Sequence, residues 1–264
     1  MNTRTLVIVF GAITPAFAAP PASHVNLVGC PVIRDTSTVP CWLVRHEGEL
    51  YYLGIQTDIS SPWFPPYQGH KILVEGVVSG EPRICGGIVL KPVNTSTLPE
   101  MDPSCNEFLP ATPEYEVPFA PRGPGPSKRN LAYAAPATPP RPVQPEEPKP
   151  PFKQREFTIP YEFDAPFVTG RTSRVMQQAV MYARQIDAHH IEVTGFRGSV
   201  QLSDGKLFVE KDGIARQRAE QVGQLLHEVG VATDKLVVNW IEKPAKATGD
   251  EDFKQRRVTM TVKP

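Results

Sequence analysis

The chain has 264 residues with 28 basic and 28 acidic side chains, a formal net charge of zero. That balance argues against nucleic acid or an anionic membrane surface as a charge-driven partner. Thirty prolines are the compositional oddity, and their placement divides the chain.

Residues 1–18 read as a secretory signal peptide. Arg4 supplies the basic start, "TLVIVFGAITPAF" the apolar run, and Ala16-Phe17-Ala18 the small-x-small cleavage site. The run is too short to serve as a stop-transfer helix and no second long apolar stretch follows, so no transmembrane segment is expected in the mature chain. No cysteine stands at the cleavage point, so a lipid anchor is not expected. The mature protein is expected in the periplasm.

Residues 24–110 read as a β-domain. "PCWLVRH", "ELYYLGI", "KILVEGVV" and "GGIVLKPV" are rich in β-branched and aromatic residues, "HEGEL" suits a hairpin loop, and "SSPWFPPYQG" interrupts the pattern. All four cysteines, Cys30, Cys41, Cys85 and Cys105, lie in this segment, and an even number in an exported chain favours two disulfides. Three connectivities are open. No CxxC pair or histidine cluster accompanies them, so no metal site is expected.

Residues 111–155 read as a linker. Fourteen prolines fall between Pro110 and Pro151, in text such as "APATPPRPVQPEEPKPP", which favours extended polyproline II and cannot form a packed core. Extended at about 3.1 Å per residue, some forty residues would span on the order of 120 Å, so the segment is expected to be disordered and to hold two domains apart.

Residues 156–264 change grammar. "FTIPYEF" alternates as a half-buried strand, residues 172–187 read as a helix, and "HHIEVTG" as a second strand. A loop leads to a helix over "GIARQRAEQVGQLLHEVGV", followed by strands "KLVVNWI" and "RRVTMTV". The order is β-α-β-α-β-β, two helices over one mixed sheet, so the fold class of the whole is α+β. Within the second helix Ala215, Ala219, Val222, Leu226 and Val229 form the apolar stripe. Arg218 falls about 40° from Val222, inside that stripe, where a cation needs a reason. Asp212 is expected to cap the helix.

The strands "FTIPYEFDAPFVT", "IEVTG", "DKLVVNW" and "RRVTMTV", with the helix between them, resemble the OmpA-like C-terminal domain. The resemblance covers nearly all of residues 156–264 and implies a two-layer βαβαββ sandwich that associates with peptidoglycan. In that family an arginine of the helix motif L-S-x-x-R-A and an aspartate closing G-x-T-D hold the diaminopimelate of the stem peptide. The arginine carries over onto Arg218, whose planar fork suits a carboxylate. Gly198 stands at the family's aspartate position, and the stretch to Arg218 is about five residues longer than usual, so Asp204 is the candidate substitute. The first half resembles, more loosely, the small OB-like barrels of secreted proteins, in architecture alone.

These features imply an envelope protein, at or near the outer membrane of a diderm bacterium, that associates with peptidoglycan through Arg218 and Asp204 and tethers a β-domain. The alternative is a protein–protein scaffold of an envelope assembly whose degenerate OmpA-like domain leaves the wall alone. No Ser-His-Asp, Cys-His or paired-carboxylate arrangement can be assembled, so neither enzymatic activity nor a cofactor is expected.

Overall fold

The computed structural model describes residues 23–55, 63–115, 117 and 149–264. The expected signal peptide and most of the expected linker lie outside the described residues. No helix among the described residues is long and apolar enough to cross a membrane.

Seven strands form the first domain: β1 (His24–Gly29), β2 (Pro31–Arg34), β3 (Cys41–His46), β4 (Glu49–Ile55), β5 (His70–Val78), β6 (Ile88–Met101) and β7 (Glu107–Leu109). They make one mixed sheet in the order β1-β5-β6-β4-β3-β2-β7. The β3–β4 hairpin turns at Glu47 and Gly48, both at positive φ (49° and 82°), the type I′ geometry that matches strand twist. Cys30 is paired with Cys105 and Cys41 with Cys85, as an oxidising compartment permits.

No closed barrel is found among the described residues: in this order β7 does not return to β1. The cause is the break in the first strand at Cys30. Before it, β1 runs antiparallel to β5; beyond it, β2 leaves β5 and pairs with β3. Val25, Leu27, Val44, Leu53, Ile72, Val74 and Leu90 pack in the bend as the larger core.

The second domain is a four-stranded sheet, order β12-β9-β13-β8, built from β8 (Arg155–Pro160), β9 (His190–Phe196), β12 (Leu236–Ile241) and β13 (Arg257–Lys263). Helices α1 (Gly170–Gln185) and α2 (Ile214–Glu228) cover one face. Strand alternation turns Phe157, Ile159, Ile191, Val193, Val258, Met260 and Val262 onto Met176, Ala179, Ala219, Val222 and Leu226. Gly195 allows the close approach of β9 and α2: a Cβ there would lie 2.1 Å from the Ala215 carbonyl oxygen.

Two local expectations change. Asp212 does not cap α2; its side chain is 94% exposed and pairs with Arg197. Glu242, just past β12, accepts the Gly213 and Arg216 N–H groups at 3.2 and 3.1 Å and neutralises the helix start instead. The loop expected between the second strand and second helix is a hairpin, β10 (Ser199–Gln201) and β11 (Leu207–Val209), separate from the main sheet. Its strands are three residues each, too short for alternation to declare them.

The two domains are packed together, which corrects the expectation that a spacer holds them at a distance. Leu73 of β5, Phe163 and Val200 are fully buried in one cluster, with Val28, Leu98, Leu202 and Phe208 around them. Asn26 of β1 donates through Nδ2 to the Gln201 and Gly249 carbonyls at 3.0 and 2.8 Å. Its main chain exchanges bonds with Ser203, N–H to Oγ at 2.9 Å and carbonyl to N–H at 2.8 Å. Glu75 of β5 grips Arg256 with both carboxylate oxygens, and both side chains are buried. The contact thus combines a fully buried apolar centre with hydrogen bonds and a buried ion pair, the anatomy of a specific interface.

Candidate functional site

Arg218 leaves the buried face of α2 with no exposed surface, and all five of its N–H donors are used. Nε donates to the Ala165 carbonyl at 2.9 Å. Nη1 donates to the Phe196 carbonyl at 3.3 Å and to Glu210 Oε2 at 2.9 Å. Nη2 donates to the Glu162 carbonyl at 2.9 Å and to Glu210 Oε1 at 2.6 Å. The guanidinium also lies 4.8 Å from the centre of the Tyr161 ring, and burial pushes that phenol well above its ordinary range against the opposing pull of Arg218. An arginine in the apolar stripe is tolerated here because nothing on it is left unpaired.

Glu210 ends the β11 side of the hairpin and is equally buried. Its Oε1 accepts the Asp164 N–H at 2.9 Å and its Oε2 the Gly198 N–H at 2.6 Å, beside the two guanidinium bonds. Four donors thus converge on two oxygens from three separate elements: the turn after β8, the turn after β9, and α2. The main chain of Glu210 is fixed too, its carbonyl accepting Arg197 Nε at 2.7 Å and its N–H reaching the Gly198 carbonyl at 3.2 Å. Asp164, at φ 56° where aspartate is tolerated, accepts the Lys211 N–H at 2.7 Å; burial holds its carboxyl above the usual range.

Of the residues singled out in the sequence, Arg218 is at this centre and Asp204 is not. Asp204 sits in the hairpin turn, where its carboxylate accepts the Lys206 N–H at 2.9 Å and pairs with Lys206 Nζ at 2.8 Å. That bond with Lys206 lowers its pKa. Arg218 makes no bond to Asp204; its carboxylate partner is Glu210, which sequence reasoning passed over. One signal was available: in "LFVE" an acid follows three apolar residues, at the register of Phe208, where a solvent-facing role is not the only option.

Gly198 explains why an aspartate does not occupy its position. A Cβ there would come within 2.5 Å of Arg256 Cγ and 3.3 Å of Glu210 Oε2. The site therefore accommodates the Arg256 side chain in place of an aspartate, and Arg256 crosses to Glu75 of the first domain. Its guanidinium also lies 5.7 Å from the Phe163 ring, which stacks on Phe208 at 4.4 Å. Burial holds the Glu75 and Glu162 carboxyls above the usual range, opposed by Arg256 in both cases and, for Glu162, by the Thr97 N–H. The filled arginine centre and the domain seam are thus neighbours, sharing Gly198 as their wall.

No group of three or more His, Cys, Asp or Glu side chains among the described residues could hold a metal ion. The fold and site define an α+β protein: a disulfide-bonded β-domain joined through a charged seam to a two-layer domain with a self-satisfied guanidinium–carboxylate centre.

No family model matches the chain, and no curated protein matches it. Among solved structures it is similar to the OmpA-like domain of FopA1 from Francisella tularensis subsp. tularensis SCHU S4, at 14% identity and a TM-score of 0.34, over 42% of this chain and 73% of that one. The peptidoglycan-associated lipoprotein from Burkholderia pseudomallei gives 23% identity and a TM-score of 0.32, over 40% of this chain and 88% of that one. The periplasmic domain of Helicobacter pylori MotB gives 18% identity and a TM-score of 0.33, over 41% and 74% of the two chains.

Proposed function

We propose that this chain is an exported, periplasmic envelope protein whose OmpA-like second domain works as a protein scaffold. On this reading the second domain presents and orients the β-domain docked on it, and does not grip peptidoglycan through Arg218. One observation carries the reading: all five N–H donors of Arg218 are committed inside the protein, two of them to Glu210. An incoming stem-peptide carboxylate would have to displace a buried, four-fold bonded carboxylate, at the cost of orphaning it. Asp204, engaged with Lys206, offers no substitute.

The β-domain supports an OB-like reading even though its sheet order is open. Its five strand runs are β1–β2, β3, β4, β5 and β6. The first pairs with both the second and the fourth, and the third lies parallel to the fifth. That is the strand logic of a small Greek-key barrel with a bent first strand. Cys30–Cys105 pins this bend, and Cys41–Cys85 ties the start of β3 to the turn before β6, as suits an exported domain with a modest core.

The test is sedimentation of the mature full chain with purified sacculi at physiological salt. The chain is expected to stay in the supernatant. Co-sedimentation that free diaminopimelate competes away would overturn the scaffold reading and restore a wall-binding role.

A further inference from the structure

Three arginines among the described residues are buried: Arg34, Arg218 and Arg256. Two of them hold carboxylates, Arg218 with Glu210 and Arg256 with Glu75. Arg34, only 9% exposed, has none. Among the described residues its guanidinium makes neither an ion pair nor a hydrogen bond. Its Nε is sealed from solvent without an acceptor, while the terminal amines, equally unbonded, keep contact with solvent. A buried charge normally has a partner, because leaving it uncompensated is costly.

The fold turns this cation toward an apolar core. Arg34 ends β2, opposite Cys41 of β3 and beside Leu109 of β7. Strand alternation puts it on the same side as Val32, which packs with Cys41, Leu43, Cys85 and Leu109 in the smaller core of the first domain. The Tyr115 ring covers one face of the guanidinium, its centre 4.1 Å from Cζ, and is carried on the short turn Pro113–Tyr115 after β7. Tyr115 is braced in turn on Gly86, where a Cβ would come 3.1 Å from the ring. Its N–H donates to the Thr112 carbonyl at 3.0 Å, and the Thr112 hydroxyl is a second buried polar group without a partner. The neighbouring charges leave Arg34 unneutralised. Asp35 and Glu114 are exposed and form no ion pair with it among the described residues. Arg83 is committed to the Gly86 carbonyl at 3.1 Å and to Glu49 at 2.7 Å.

We propose that Arg34, Thr112 and Tyr115 form an anion-binding site of the first domain, which takes a small oxyanion of phosphate or carboxylate type. Arg34 supplies the charge and a planar set of N–H donors, and Thr112 a hydroxyl donor. The Tyr115 ring holds the guanidinium in place. The bound anion is the countercharge that the fold itself provides for Arg218 and Arg256. All three residues lie outside the second domain, and the site stands whether or not the scaffold reading holds.

The test uses the mature full chain, wild type and Arg34→Met, in Tris chloride with phosphate or acetate added at constant ionic strength. In wild type at least one of the two is expected to raise the unfolding midpoint saturably by several degrees over chloride. The same addition is expected to shift the Arg34 Nε–H resonance along the same curve. Arg34→Met is expected to lose the response and, in chloride alone, to unfold at or above the wild-type midpoint, since an unpaired buried charge is gone. Thr112→Val is expected to raise the half-saturating concentration about fivefold, the loss of one hydrogen bond. A response to phosphate alone assigns the site to phosphate-type anions, and a response to acetate alone to carboxylates. An equal response in Arg34→Met places binding elsewhere and overturns the assignment. No oxyanion-specific response in wild type, by melting or by resonance, overturns the site and leaves Arg34 a brace for Tyr115. Should Arg34→Met not fold, the wild-type Nε–H titration decides by itself. The sacculus experiment is unaffected by either result.

Discussion

Arg218→Ala is expected to destabilise the full chain by about 3–5 kcal/mol, the cost typical of breaking a buried ion pair by removing one partner. The truncation strands the Glu210 carboxylate with two amide donors in a site with no exposed surface, and it leaves the Ala165, Phe196 and Glu162 carbonyls short of their donor. A ligand-gripping arginine at a solvated pocket would behave otherwise, its removal costing within about 0.5 kcal/mol of stability. Arg218→Lys is expected to fall between, since an ammonium retains the charge but cannot form the two-pronged contact or reach five acceptors. Urea unfolding of the mature protein, read as a midpoint shift at unchanged slope, separates these outcomes.

Arg256→Ala is expected to cost a similar amount, about 3–5 kcal/mol, through the buried Glu75 carboxylate it leaves uncompensated at the seam. The form of the loss differs. Because Arg256 and Glu75 belong to different domains, the variant is expected to show two calorimetric transitions where wild type shows one. Replacing both partners, Arg256→Met with Glu75→Gln, removes the stranded charge and is expected to restore most of the stability and the single transition. A single transition at the wild-type temperature in Arg256→Ala would mean that the pair contributes nothing to docking.

Much of the second domain was legible because its elements are long and periodic. The stripe Ala215, Ala219, Val222, Leu226 announced α2, and the alternation of Val258, Met260 and Val262 announced β13. The same periodicity singled out Arg218 as misplaced. It could not name the partner, because an off-pattern residue reports only which direction it faces. Glu210 stands eight residues before Arg218, at the end of a hairpin whose strands are too short to read. The cap of α2 failed for a related reason: Asp212 was the local candidate, but Glu242 arrives from 29 residues further on. The domain seam was least legible. Glu75 and Arg256 are 181 residues apart, and the proline-rich text between them argued for separation. In the first domain, composition declared β3 to β6 but not β1, β2 or β7, nor the break at Cys30, which redirects β2 from β5 to β3.

The commitment of Arg218 to Glu210 is tested most directly by a double-mutant cycle in the full chain, with Arg218→Met, Glu210→Gln and the two together, each followed by urea unfolding. Each single replacement is expected to be strongly destabilising and the double much less so than their sum, giving a coupling of about 2–3 kcal/mol. Additive losses, with coupling within about 0.5 kcal/mol of zero, would contradict the pairing and leave the Arg218 fork free for an outside ligand.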